Sequence, residues 1–556
     1  MIGDRLETYR FHETSWESYD ELRSAFEWEV PERFNMANYV CDRWADEKGR
    51  VAVFEEQYGE RDTYTYWQLR NATNRLANYL RGEGIERGDR VGINAPQRVE
   101  TLLAHIACWK LGAVSIPLST LFGPDAISYR LSDADAVAAV VDESNVEDFR
   151  EAREDVDRDL SVLTVGDVAP RTGEAEFWTA IENEPRTFEV VETDAEEDAV
   201  VIYTSGTTGD PKGVRHAHRA LLGHLPLFLT TFCNMSVRTE DVFWTPAEWA
   251  WVASLFDVVF SGLYYGQPIV AHNAGPFDAE AAFGVLERYG VTNLFAPATA
   301  LRMMTQTDAS AYDVGAMRCI TSGGESLGGN VVEWAENVFD GAAVHEGYGQ
   351  TEANLLVGDC TALFPFRDGT MGRAGVGHEI TIVDPDTAEP TVDTGEVGEI
   401  AVRYENDPVC FKEYWSQPEK TDRKVQNGWL LTEDLGRMDE DGYVAFESRK
   451  DDVIISAGYR IGPTEIEEAL TGHPAVVDSA VIGVPDDERG EVPKAFVVLA
   501  DGRTGEDDLR EELRGHVRGR LAQYEYPRGI EFVEELPKTT SGKVRRTSLR
   551  EREGIE

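Results

Sequence analysis

Apolar residues Leu69, Ala72, Leu76, Tyr79 and Leu80 recur at helical spacing before the breakers Gly82 and Gly84, which predicts a helix from about residue 63. Shorter apolar runs follow. Residues 90–93 read as a strand, 99–111 as an apolar-faced helix, 113–118 as a second strand, 126–131 as another helix and 136–141 as a third strand. This alternation predicts an α/β layer with a largely parallel sheet. From 142 to 197 acidic residues dominate, as expected of a solvated face without chemistry. The β-branched run Ala199-Val200-Val201-Ile202-Tyr203 then enters a polar glycine-rich stretch, and the helix-like 219–225 follows, so the expected order is strand, loop, helix. Further on, 446–455 places a charged, breaker-like knot between two strands, which sets a domain boundary: 1–448, a connector at 449–452, and 453–556. The last part reads as a small α+β unit, with a helix from Thr464, strands near Ala480 and over 494–499, a helix from Glu506 and a tail. The fold class expected is α/β, a large domain of layered α/β subdomains followed by that small unit.

Composition narrows the setting. With 556 residues, 42% hydrophobic content and 12 tryptophans, the chain is expected to bury a large core. No apolar run approaches the roughly 18 residues of a membrane span, and the first residues lack the plan of a signal peptide, so a cytoplasmic location and no membrane insertion are expected. Six scattered cysteines without C-x-x-C spacing suggest buried free thiols rather than a zinc site or disulfides. The net charge of −49, from 102 acidic and 53 basic residues, makes nucleic acid and anionic membranes poor partners. Only ten of the basic residues are lysine, a balance that resembles proteins of salt-loving organisms. At molar salt the Debye length is about 3 Å and the self-repulsion is largely screened.

The stretch Thr204-Ser205-Gly206-Thr207-Thr208-Gly209-Asp210-Pro211-Lys212-Gly213 concentrates phosphate chemistry: glycines admit an anion to bare N–H groups, while hydroxyls and one ammonium add donors. It is not a Walker A sequence, and it resembles the signature loop of the acyl-adenylate-forming enzymes, the superfamily of acyl-CoA synthetases, luciferases and peptide-synthetase adenylation domains. Three more stretches extend the resemblance: His345-Glu346-Gly347-Tyr348-Gly349-Gln350-Thr351-Glu352, Trp429-Leu430-Leu431-Thr432-Glu433-Asp434, and Lys538-Thr539-Thr540-Ser541-Gly542-Lys543. It spans nearly the whole chain, and medium-chain acyl-CoA synthetases look most similar.

The resemblance implies a mobile C-terminal domain and a set of roles. The turn with Gly324, Glu325 and Ser326 would border adenine, together with Glu346, Gly347, Gly349 and Gln350. The ring of Tyr348 is suited to stack on adenine, the Thr351 hydroxyl to meet a phosphate oxygen, and the Glu352 carboxylate to hold Mg²⁺. Asp434 offers two oxygens to the ribose hydroxyls, although the family usually has glycine where Glu433 sits. Arg449 would contact the nucleotide, Asp451 would be the hinge and Lys543 the catalytic lysine. Ala457, Gly458, Tyr459 and Arg460 would border the coenzyme A channel, with Arg489 and Arg518 for its phosphates. Trp251 and Ala253 are acyl-pocket candidates, and Gly349, where acetate-specific relatives carry Trp, would leave room for a longer chain. The reaction implied is ATP-dependent activation of a medium-length or branched acid and its transfer to coenzyme A. A short-chain or aryl-acid ligase, a carrier-loading enzyme without coenzyme A and a non-enzymatic binding module stay as alternatives, and oligomeric state is left open.

Overall fold

A computed structural model describes residues 5–204, 211–325, 327–390, 394–456, 459–486, 489–500, 503, 505, 507–521, 526–539 and 543–555, with backbone alone at 455, 459, 460 and 507. The first periodic segment forms the helix Tyr66–Gly82. Its start is fixed by a capping box in which the Thr65 hydroxyl accepts from the Gln68 amide while the Gln68 side chain accepts from the Thr65 amide. Residues just upstream, Glu60–Thr65, are instead a strand antiparallel to Val51–Gln57. The strand Arg90–Asn94, the helix Val99–Leu111 and the strand Val114–Pro117 follow the expected alternation. That helix is buried along its whole length rather than on one face. Even its lysine is enclosed: the Lys110 ammonium donates to Asp42 at 2.6 Å and to Asn74 at 2.7 Å.

These strands belong to an eight-stranded sheet in the order Glu413–Tyr414, Lys212–Ala217, Asp198–Thr204, Val114–Pro117, Arg90–Asn94, Ala138–Asp142, Ser161–Val165, Glu174–Glu176. Its centre is parallel, as the alternation predicts. Two expectations need correction. The acidic stretch is more than a solvated face: it supplies the strands Ser161–Val165 and Glu174–Glu176 and the helices Val146–Glu154 and Phe177–Ile181, and buries Phe149, Val162 and Leu163 among its charges. Nor does the glycine-rich loop lead straight into a helix. It joins Asp198–Thr204 to the antiparallel strand Lys212–Ala217, with Thr204 facing Lys212, and the helix Ala220–Leu227 comes afterwards. Burial along Lys212–Ala217 does not alternate, so the sequence carried no period-of-two strand signal there.

A nine-stranded sheet carries Cys319–Gly323 parallel to Ala343–Gln350, which turns back into Ala353–Gly358. A five-stranded sheet is built around Trp429–Met438, flanked by Gly398–Arg403 and Val444–Arg449. The C-terminal part forms its own sheet, with Val476–Asp486 and Gly490–Leu499 at its heart, covered by Pro463–Thr471 and Asp507–Arg518. Ile466, Leu470, Val481, Val497, Leu513 and Val517 close an apolar cluster separate from those of the larger part. Among the described residues no helix is long and apolar enough to cross a membrane.

Candidate active site

The eight-, nine- and five-stranded sheets of the larger part meet near the strand Lys212–Ala217. The edge strand Glu413–Tyr414 pairs with Lys212–Ala217, placing Tyr414 opposite Val214. From there the Tyr414 hydroxyl donates to the Glu352 carboxylate, and the Lys212 ammonium lies 5.1 Å from the Tyr414 ring centre. His216, on the same strand as Lys212, holds the Thr351 carbonyl with its Nε2 at 2.7 Å. Burial pushes the Glu352 carboxyl up, but the charge of Lys424, the Tyr414 hydroxyl and the charge of Lys212 outweigh it, and its pKa ends below the ordinary carboxylate value. Glu352 is therefore a buried anion at neutral pH. Lys424 and Tyr414 belong to no motif; among so few lysines, Lys424 on the short helix Pro418–Lys424 was the available hint.

A second cluster forms around Asp434. Its Oδ2 accepts from the Tyr348 hydroxyl at 2.7 Å, and Arg449, facing it across the strand pair, brings Nε to 3.3 Å of Oδ1. Arg449 also approaches Asp451 at 3.5 Å. Gln350 donates to the Thr432 carbonyl at 3.1 Å, which fixes the signature strand against Trp429–Met438. Glu433 adopts a left-handed φ of 64°, a conformation that suits glycine better, and its carboxylate lies 3.2 Å from Lys424 and 3.7 Å from Arg449. Such local strain is most often retained beside a working site.

Cys319–Gly323 ends at Gly324, whose φ of +89° needs glycine. Here the tail of the small part arrives: a Cβ placed on Gly324 would lie 3.4 Å from Cε and 3.9 Å from Nζ of Lys543. Burial pushes the Asp434 carboxyl up, against the charges of Arg449, Lys424 and, least, Lys543. Glu325 is tied to Arg302 at 3.1 Å, and Glu346 accepts from the Leu327 amide at 3.0 Å while its own amide donates to Asp359. Burial raises the Glu346 carboxyl to about 7. Residues 205–210, Ser326, Ala457 and Gly458 lie outside the described residues, and for Tyr459 and Arg460 only the strand Tyr459–Ile461 is given.

A family model described as AMP-binding enzyme matches residues 41–415, and one described as AMP-binding enzyme C-terminal domain matches 465–543. The chain belongs to the AMP-binding enzyme family. Relatives include the uncharacterized acyl–CoA ligase YtcI of Bacillus subtilis (strain 168), 34% identical over 94% of this chain and 97% of its own length. The mitochondrial acyl-coenzyme A synthetase ACSM3 of Mus musculus is 33% identical over 97% of this chain and 94% of its own. Among solved structures, the anthranilate CoA ligase AuaEII in complex with anthranoyl-AMP superposes with a TM-score of 0.86 at 27% identity, covering 94% of this chain and 98% of that one. A Brucella canis acyl-CoA synthetase gives 0.75 at 33% identity, covering 97% and 99%.

In this AMP-binding enzyme Gly349 lies at a close backbone crossing. A Cβ there would meet the Leu355 amide nitrogen at 2.2 Å and the Leu355 Cα at 2.9 Å, so no side chain fits at this position as the backbone stands. Leu355 itself has a φ of 65°. Trp251 and Ala253 are half-buried at the start of the wide helical turn Ala253–Phe260. From that turn the enclosed Asp257 accepts from Asn354 at 2.6 Å, and burial drives its carboxyl well above the usual range, so it offers no free anion. Arg489 sits at the hairpin end whose Gly490 pairs with Ser456, next to the predicted channel segment. Arg518 stacks 3.8 Å from the Tyr526 ring centre and Arg528 stacks 4.0 Å from it. Burial, and then the charges of Arg489 and Arg518, lower the Arg528 guanidinium, which marks a cationic cluster on a strongly acidic chain. Arg489 and Arg518 are thus brought together, and Arg528, with no motif around it, was missed.

Proposed function

We propose that this enzyme is an AMP-forming acyl-CoA synthetase that activates a medium-length or branched carboxylic acid as the acyl-AMP and transfers it to coenzyme A. The observation that carries the reading is the approach of Lys543 to Gly324, which supports a role for the tail lysine beside the Asp434 cluster. A carboxylate oxygen attacks the α-phosphorus of ATP, pyrophosphate leaves, and the thiol then displaces AMP to form the thioester. Two anions must first meet. Lys212 and the hydroxyl-rich loop receive the phosphates, Lys543 lies between carboxylate and α-phosphate, Tyr348 and Asp434 hold adenosine, and rate comes from positioning and charge.

Glu352 fits Mg²⁺: it is a buried ionised oxygen donor beside the Thr351 hydroxyl. Among the described residues no set of three His, Cys, Asp or Glu forms a complete cage, which suits a cation that takes its other ligands from phosphate and water. When bound, Mg²⁺ would neutralise phosphate charge. The second half-reaction asks for the channel segment at 457–460 and the Arg489, Arg518 and Arg528 cluster. The small domain, 453–556, is read as turning about Asp451 so that Lys543 serves one half and this segment the other. An aryl acid is the second reading, favoured by the superposition on an anthranilate CoA ligase.

The test is pyrophosphate release in high salt with Mg·ATP and acids from acetate to decanoate plus benzoate and anthranilate, each with and without coenzyme A. Turnover needing coenzyme A and a medium-length acid supports the proposal. Pyrophosphate without coenzyme A dependence would move the enzyme to the carrier-loading class.

A further inference from the structure

Lys543 is tied to Thr539: the Thr539 amide donates to the Lys543 carbonyl at 2.7 Å, and the Lys543 amide donates to the Thr539 hydroxyl at 3.1 Å. Three residues on, Arg546 opens the last helix, Arg546–Arg552. The Nη2 of its half-buried guanidinium donates to both oxygens of Glu467 on the helix Pro463–Thr471, at 2.7 and 2.6 Å. It also reaches Asp452, beside the hinge candidate, at 3.3 Å. One turn along, Arg550 takes the other Asp452 oxygen at 2.8 Å and the Asp451 carbonyl at 3.2 Å. The Asp452 amide in turn donates to the Arg449 carbonyl at 3.1 Å. An unbroken chain of contacts therefore runs from Asp434 through Arg449 and the 451–452 peptide to the segment that carries Lys543.

We propose that Arg546, assisted by Arg550, is a positioning residue that clamps the hinge to the Lys543 segment, so that rotation delivers or withdraws the lysine as one rigid lever. A guanidinium suits this because its rigid plane sends Nη2 to Glu467 and Nη1 to Asp452 at once, fixing orientation as well as distance. An ammonium at the same place would keep the charge and lose the fork. The inference rests on the reading that Lys543 serves acyl-AMP formation.

The experiment measures the two half-reactions separately in high salt: acid-dependent ATP–pyrophosphate exchange, and conversion of supplied acyl-AMP and coenzyme A to thioester. Variants are Lys543→Ala, Arg546→Met, Arg546→Lys, Arg550→Met, Asp452→Asn and Arg546→Met combined with Lys543→Ala. Arg546→Met is expected to lower the exchange kcat by tens of fold, on the order of 10²-fold for a displacement of about 1 Å, with the KM for ATP and the thioester half close to wild type. Arg546→Lys should follow it, and Arg550→Met and Asp452→Asn should shift exchange in the same direction by less. In the Lys543→Ala background the arginine change should cost no more exchange. Equal losses in both halves, or a further loss in the double variant, would overturn the lever. Should Arg546→Met not fold, unchanged exchange in both Arg550→Met and Asp452→Asn would overturn it as well. If Lys543→Ala keeps full exchange, the parent reading of the lysine fails first.

Discussion

Gly349 owes its missing side chain to a backbone crossing. Because a Cβ there would collide with the Leu355 backbone, Gly349→Ala is expected to destabilise the fold by about 1–3 kcal/mol and to slow turnover of every acid together. Denaturant unfolding and an acid panel check this; a stable variant that merely prefers shorter acids would contradict it. The residues legible in the sequence were those whose chemistry is carried by type and order. Tyr348, Asp434, Arg449 and Lys543 do converge. Those not legible work through distant partners. Tyr414 reaches Glu352, and Lys424 sets its charge, from a segment far along the chain with no spacing rule of its own.

Elements with a clear period were readable, while elements whose apolar positions are diluted by charge or interrupted by turns were not. The parallel sheet followed from the alternation over 90–141, whereas Ser161–Val165 vanished into an acidic background and Lys212–Ala217 into a phosphate signature. The strand pair that carries the second signature also has a pH dependence of its own. Asp359 accepts from the Glu346 amide through Oδ2, its Oδ1 is buried without a partner, and burial lifts its carboxyl from 3.8 to about 7. A raised acid keeps its proton longer in the folded state than in the unfolded chain. Stability attributable to this group is therefore intact below the unfolded value and falls as pH climbs to about 7. Asp359→Asn should remove that slope, so that variant and wild type diverge by ~2–4 kcal/mol between acid and neutral pH. Parallel unfolding curves from pH 4 to pH 8 would show that the group does not titrate there.

At the scale of the whole molecule the net charge of −49 sets the solution conditions. Raising KCl from 0.1 M toward 2 M, where the screening length drops from about 10 Å to below 3 Å, is expected to raise Tm and recover activity. Full activity and an unchanged Tm at low salt would show that the fold tolerates its own field. The six cysteines have a different consequence. All are buried, and burial pushes the Cys108, Cys319 and Cys360 thiols up to about 12, so the described surface presents no thiolate. An enzyme that takes a free thiol as substrate would otherwise be open to mixed-disulfide capture by the oxidised form of that substrate. Here thiol–disulfide exchange has no accessible protein partner, and oxidised coenzyme leaves the fold chemically untouched.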